Sequence, residues 1–294
     1  MRRRCALRTT RRPIRRLGRW LSAAVFSLVT VGGPAGAASG LPHRGCEAGG
    51  VPASGAAETT SPPADSGLRL DLNLPAYRLD VRGADSIGIS YRVGIGAVEY
   101  PTPVGWYRVW RIVWSPAWLP PPSEWARDET PAPPGPSNPM GRVKLDFGGM
   151  HFLHGSPDST SFGRARSHGC IRLANSDAVA LARIVQRMGS DEPVPSDEEL
   201  VVWDSTTTRG VLLARPVPLR IRYDLAEVDR EWITLYPDVY HLAGDTVPSV
   251  VLSVLFAAGY PEAALDLGRI DRLAARARRA PTAVPIADLL ARPE

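Results

Sequence analysis

The side chains with reactive chemistry crowd into residues 150–173, MHFLHGSPDSTSFGRARSHGCIRL. Cys170 follows His168 across one glycine, and His154, sixteen residues upstream of Cys170, is followed by Gly155. A cysteine becomes a nucleophile as its thiolate, and a neighbouring imidazole can take the proton or stabilise the anion. A glycine beside each residue lets the backbone approach a substrate closely. The stretch therefore holds the parts of a thiol acyl-transfer site: nucleophile, base, and backbone N–H groups to receive an oxyanion. Two other chemistries suit the same side chains. A lone cysteine is commonly an inert buried hydrophobe. His151, His154, His168 and Cys170 are also zinc-ligand types, although the paired spacings of a structural zinc site are missing.

Composition narrows the partner. The chain has 294 residues, 44% of them hydrophobic, enough for a packed core. Its net charge of +5 comes from the first 37 residues, which carry nine arginines and no lysine or acid; removing those nine charges leaves −4. A mildly acidic remainder argues against a nucleic-acid partner. Three cysteines, Cys5, Cys46 and Cys170, make no disulfide framework. Cys46 is expected to stand away from Cys170 or to be inert, since pairing would block the nucleophile.

His154-Gly155, a spacer, and then Ser167-His168-Gly169-Cys170-Ile171-Arg172-Leu173 resemble the active-site signature of the L,D-transpeptidases with a YkuD-type catalytic domain, closest to the ErfK-like branch with its Ile-Arg after the cysteine. The resemblance runs upstream through Val93-Gly94-Ile95-Gly96, Thr102-Pro103-Val104-Gly105 and Pro134-Gly135-Pro136-Ser137-Asn138-Pro139-Met140-Gly141. It implies a mainly β, sandwich-like fold with one helix after the catalytic cysteine and further helices at the C-terminus. It also implies peptidoglycan tetrapeptide stems as substrate and no cofactor or metal.

By the resemblance, Cys170 is the nucleophile and His154 the base, oriented by the Gly155 carbonyl. His168 shapes the site or assists the oxyanion, and the N–H groups of Gly169 and Cys170 receive the oxyanion. Arg172 is expected to pair with a stem carboxylate or to brace the loop, and Ser167 to bond backbone. The acyl group passes from a thioester to an amine, giving a 3→3 crosslink, an attached lipoprotein or an exchanged D-amino acid; water would make the protein an L,D-carboxypeptidase. A non-catalytic wall-binding module is the alternative from another class. A papain-like peptidase is disfavoured because both flanking histidines precede Cys170. A monomer is expected.

The elements that must position these residues follow from pattern. Residues 1–37, with a basic start, a short apolar run and Ala35-Gly36-Ala37, read as a signal peptide or an uncleaved membrane anchor, so the protein is expected in the periplasm or cell envelope. Residues 38–67, rich in Gly, Ala, Ser, Pro and Thr, read as a flexible linker. The catalytic domain is expected over 68–204, and a C-terminal β segment with a solvated helical tail over 205–294. LRLDLNLP and YRLDVR alternate as half-buried strands do. Trp106, Trp110 and Trp114 share one strand face and are read as core. The proline-dense stretch 115–141 reads as a lid, with Trp118 and Trp125 as contacts. Val143–His154 reads as strand broken at Gly148-Gly149, residues 177–188 as a helix under the site, and VVWD (201–204) and 211–225 as further strands. Residues 247–260 and 262–279 read as helices.

Overall fold

The computed structural model describes residues 67–83, 88–203 and 207–291. The expected signal peptide, most of the expected linker, Cys5 and Cys46 lie outside the described residues. In chain order come β1 (Leu68–Asn73), β2 (Arg78–Gly83), β3 (Ile89–Arg92), β4 (Ile95–Gly96), β5 (Gly105–Trp114), β6 (Val143–Gly148), β7 (His151–Ser156), β8 (Ala165–Ser167) and β9 (Ile171–Ala174). Then follow α1 (Asn175–Gly189), α2 (Asp197–Trp203), β10 (Arg209–Arg222), β11 (Ala226–Asp229), β12 (Trp232–Leu235), α3 (Val247–Ala257), α4 (Leu267–Ala277) and β13 (Thr282–Pro285). The fold is mainly β, with α1 directly after the Cys170 segment, as the sequence implies. No described helix is long and apolar enough to cross a membrane.

An eight-stranded sheet, in the order β3-β2-β1-β10-β5-β6-β7-β9, carries the site at one end. Alternation puts Leu70, Leu72, Leu79, Leu219, Ile221, Leu145, Leu153 and Leu173 into one core with Leu181 and Val185 of α1. Burying a side chain of that size stabilises by about 1.5–3 kcal/mol. α1 begins two residues before the expected 177. Asn175 lies inside the helix, and its Oδ1 accepts from the Arg142 N–H at 3.0 Å. The helix is thereby tied to the entry of β6.

Several expectations need correction. VVWD is not strand: Val201–Trp203 end α2. Ser196 and Glu199 cap that helix reciprocally, Ser196 N–H to Glu199 Oε2 at 2.8 Å and Glu199 N–H to Ser196 Oγ at 3.2 Å. The division at residue 204 does not separate two bodies, because β10 pairs in parallel with β1 and antiparallel with β5 in the middle of the main sheet. Trp114 is core, with its Nε1–H on Gln186 Oε1 at 2.8 Å, but Trp110 is 42% exposed. The β5–β10 register shifts between Leu212 and Val217, so the alternation that would carry Trp114 onto the face of Trp106 and Trp110 is lost and Trp114 turns to the core.

The C-terminal part is no solvated tail. β11-β12-β13 form their own three-stranded sheet. Ile233, Leu235, Val251, Leu255, Ile270 and Leu273 build a second core beneath α3 and α4. A charged joint fastens this part to the main sheet. Arg222 binds Asp71 and Glu227, both at 2.6 Å, and Arg78 binds Glu227 at 2.9 Å. The Tyr236 hydroxyl donates to Glu227 at 2.7 Å.

Burial alone would raise the Glu227 carboxyl, but Tyr236, Arg222 and Arg78 together hold it down at about 2 against an ordinary 4.5. Between those pH values the unfolded chain binds the extra proton. Stability therefore falls as pH drops from about 4.5 toward 2. Thermal melting should show this acid loss, and Glu227→Gln should melt lower at pH 7 and depend less on pH in that window. An unchanged pH slope in the variant would contradict the joint's role.

Candidate active site

Adjacent strands bring the reactive residues together. β6 pairs antiparallel with β7, placing Lys144 beside His154, and β7 pairs in parallel with β9, placing His154 beside Arg172. Paired residues project to one face. Lys144, His154 and Arg172 thus form a row across three strands, and Cys170 precedes the first residue of β9. This row carries the site because Leu145, Leu153, Ile171 and Leu173 on the opposite face are fully buried and fix the register.

His154 is 4% exposed, and its Nδ1 lies 2.7 Å from the Gly155 carbonyl. A carbonyl only accepts, so Nδ1 carries the proton and Nε2 keeps its lone pair. Burial lowers the imidazole pKa to about 4; the Gly155 bond opposes this, and the Arg172 and Lys144 charges add to it. Cys170 is half-buried, with its Sγ 3.8 Å from the Met150 carbonyl. Burial pushes its thiol above the ordinary 9.0, against opposing effects of the Phe152 N–H, Arg172 and Lys144. The resting pair is therefore a neutral thiol and a neutral imidazole rather than a thiolate–imidazolium pair.

The other sequence-predicted residues shape the loop. Gly169 has φ +99°, a conformation that disfavours a side chain, and a Cβ there would stand 2.7 Å from His151 Nε2. Its N–H donates to Ser167 Oγ at 3.2 Å, and Ser167 Oγ donates to the Cys170 carbonyl at 2.5 Å. The Gly169 N–H expected for an oxyanion is thus already engaged. The Cys170 N–H makes no hydrogen bond among the described residues. Arg172 is half-buried and forms no ion pair among the described residues; its backbone bonds Gly94 in both directions, at 2.8 and 2.9 Å.

His168 is exposed and lies flat on Trp125, with centroids 3.8 Å apart at 1°, and edge-on to Tyr100 at 4.8 Å. Trp125 belongs to the proline-dense stretch, which therefore reaches the Cys170 loop. Asn138 holds that stretch in shape: its Nδ2 donates to the carbonyls of Pro116, Ala132 and Pro133 at 2.8–3.1 Å. Among the described residues no three His, Cys, Asp or Glu side chains are grouped to hold a metal ion.

Sequence reasoning missed Thr102, Tyr240 and Lys144, and read His151 only as a zinc-ligand type. Thr102 Oγ1 donates to the Gly169 carbonyl at 2.9 Å, and the Tyr240 hydroxyl bridges the Thr102 N–H and the Gly96 carbonyl at 3.1 and 3.0 Å. Thr102 had a signal, being part of the Thr-Pro-x-Gly step. Tyr240 had none, since it comes from the chain beyond β12, far away in sequence, and packs into the main core.

The raised thiol pKa predicts the pH course of Cys170 alkylation by iodoacetamide. The rate should keep rising past pH 9. A plateau reached near neutrality would mean a preformed thiolate and contradict this geometry.

The family model of the YkuD L,D-transpeptidase catalytic domain matches residues 68–210. The chain is 35% identical over 120 residues to the probable L,D-transpeptidase YbiS of Escherichia coli, covering 36% of this chain and 39% of that protein. It is 35% identical over 115 residues to the probable L,D-transpeptidase ErfK/SrfK of the same species, covering 36% and 37%. The chain thus spans about two fifths of the length of these relatives. Among solved structures it is similar to an L,D-transpeptidase from Mycobacterium tuberculosis (16% identity, 53% of this chain and 57% of that one, TM-score 0.33). It is also similar to one from Mycobacterium smegmatis (13%, 53% and 58%, 0.34).

Proposed function

Residues 68–210 being an L,D-transpeptidase catalytic domain of the YkuD family, we propose that the protein transfers an acyl group of a peptidoglycan tetrapeptide stem to an amine through a Cys170 thioester. The observation that carries this reading is the neutral His154, with Nδ1 tied to Gly155 and Nε2 free, on the strand beside the Cys170 segment.

The Cys170 sulfur attacks the carbonyl of the third stem residue, and its proton passes to His154 Nε2. Negative charge develops on the carbonyl oxygen, where the Cys170 N–H donates; Gly169 contributes if Ser167 releases its N–H. One such donor is worth about 10²–10³ in rate. The carbon–nitrogen bond to the terminal D-alanine breaks, and His154 returns its proton to the leaving amine. An acceptor amine then attacks the thioester, Nε2 takes the amine proton, and the thiol is restored.

A neutral starting pair suits this sequence because the imidazole holds no proton until the thiol gives one. Arg172, without a protein carboxylate, is placed to receive a carboxylate of the stem. Trp125 on His168 closes one side of the approach. The acceptor is a diaminopimelate amine, a lysine of an anchored lipoprotein or a free D-amino acid. The site of action is the periplasm or cell envelope, and the unit is a monomer.

The test is mass spectrometry of residues 38–294 with purified disaccharide-tetrapeptide, wild type beside Cys170→Ala. The proposal expects loss of D-alanine and a 3→3 dimer, both abolished in the variant. Release without dimer would indicate a carboxypeptidase or a missing protein acceptor. No reaction, with a thiol that also forms no adduct with a carbapenem, would overturn the proposal in favour of a non-catalytic wall-binding module.

A further inference from the structure

Away from Cys170, the solvent-side face of β2, β1, β10 and β5 carries an unusual set of side chains. Register puts Arg82 directly opposite Arg69 and Pro218 opposite Arg108, with the next residues Leu70 and Leu219 paired between them. The next row runs Asp80, Asp71, Arg220 and Trp106. Like charges directly opposite across a strand pair cost stability, so an arginine row of this kind is not explained by folding. Arg69, Arg108 and Arg220 have no carboxylate partner among the described residues, whereas Arg78, Arg82 and Arg222 each do. The Nε of Arg69 is buried with no hydrogen bond at all.

Two further features give the face the form of a site. Arg69 and Arg220 line a cleft of about 880 Å³ between the main sheet and β11–β12, whose other charged residues are largely satisfied by the Arg222–Glu227 joint. Trp106 lies under the Arg220 guanidinium at 5.5 Å, and Trp110, further along β5, is 42% exposed. A flat aromatic beside free guanidinium groups matches a ligand with both apolar ring faces and carboxylates. Indole presents area to the C–H face of a sugar, and guanidinium pairs with carboxylate. Through Arg111 and Asp146, paired across β5 and β6, the face is continuous with the row of Lys144, His154 and Arg172.

We propose that Arg69, Arg220, Trp106 and Trp110 form a second binding surface that holds a peptidoglycan strand beyond the stem being processed, its sugars on the tryptophans and the carboxylates of neighbouring stems on the arginines. This occupant rests on the reading of the protein as acting on peptidoglycan. β1 stands five strand spacings from β9, about 24 Å at about 4.8 Å each, so the surface serves the polymer beyond the stem being processed.

Co-sedimentation with purified peptidoglycan sacculi tests it, in a Cys170→Ala background so that binding is read without turnover. Trp110→Ala and the double variant Arg69→Gln/Arg220→Gln should each bind about tenfold more weakly, and the remaining binding should depend less on salt. The same substitutions in the Cys170 enzyme should leave the melting temperature and turnover of soluble disaccharide-tetrapeptide unchanged. Undiminished sacculus binding in both variants would overturn the proposal. So would a parallel loss of melting temperature and soluble turnover, which would make these residues structural. If the unsubstituted enzyme fails to process the soluble fragment, the proposed activity fails, and the co-sedimentation arm still decides the surface.

Discussion

A buried imidazole on a strand takes its state from very few contacts, and here one contact decides it. The Gly155 carbonyl, 2.7 Å from His154 Nδ1, fixes the tautomer. The surrounding apolar packing excludes the charged form and brings the pKa to about 4. That bond requires β7 to run true between β6 and β9, because a slip of one residue would turn His154 into the core. The fully buried Leu145, Leu153, Ile171 and Leu173 prevent the slip. The hydrophobic core thus acts on the chemistry through register rather than through contact.

The second determinant is the loop that delivers Cys170. It is held from three directions: Ser167 bonds Gly169 N–H and the Cys170 carbonyl, Thr102 bonds the Gly169 carbonyl, and Trp125 covers His168. Thr102 is in turn held by Tyr240, whose own N–H bonds the Tyr223 hydroxyl. The C-terminal part therefore reaches to within two residues' contact of the Cys170 loop. Its charged joint to β1 and β2 is part of the same support, and the joint explains why the chain continues to fold as a unit beyond β10.

Much of this was legible in the sequence, for identifiable reasons. Alternation marked β1 and β2, and the glycine pair at 148–149 marked the break between β6 and β7. The HG and SHGC steps marked the residues that the sheet brings together. What stayed hidden depended on distant chain. Tyr240 carries no local signature. The neutrality of His154 and Cys170 depends on burial by strands remote in sequence. The register shift opposite Val109–Arg111, which buries Trp114 and exposes Trp110, is a property of the pairing with β10. One miss was avoidable: Ser196 and Glu199, three apart before an apolar run, are a helix-start signature that outweighs the β-branched Val201 and Val202.

A neutral His154 with its proton on Nδ1 is the state on which the proposed transfer depends. Nitrogen-15 NMR of the labelled Cys170→Ala protein, titrated from pH 8 to pH 3.5, measures this directly. The burial of His154 and its Gly155 bond predict a protonated Nδ1 and an unprotonated Nε2 at pH 7, unchanged through the ordinary histidine range, with protonation only near pH 4. A titration centred near 6.5, or a proton on Nε2 at neutrality, would contradict it.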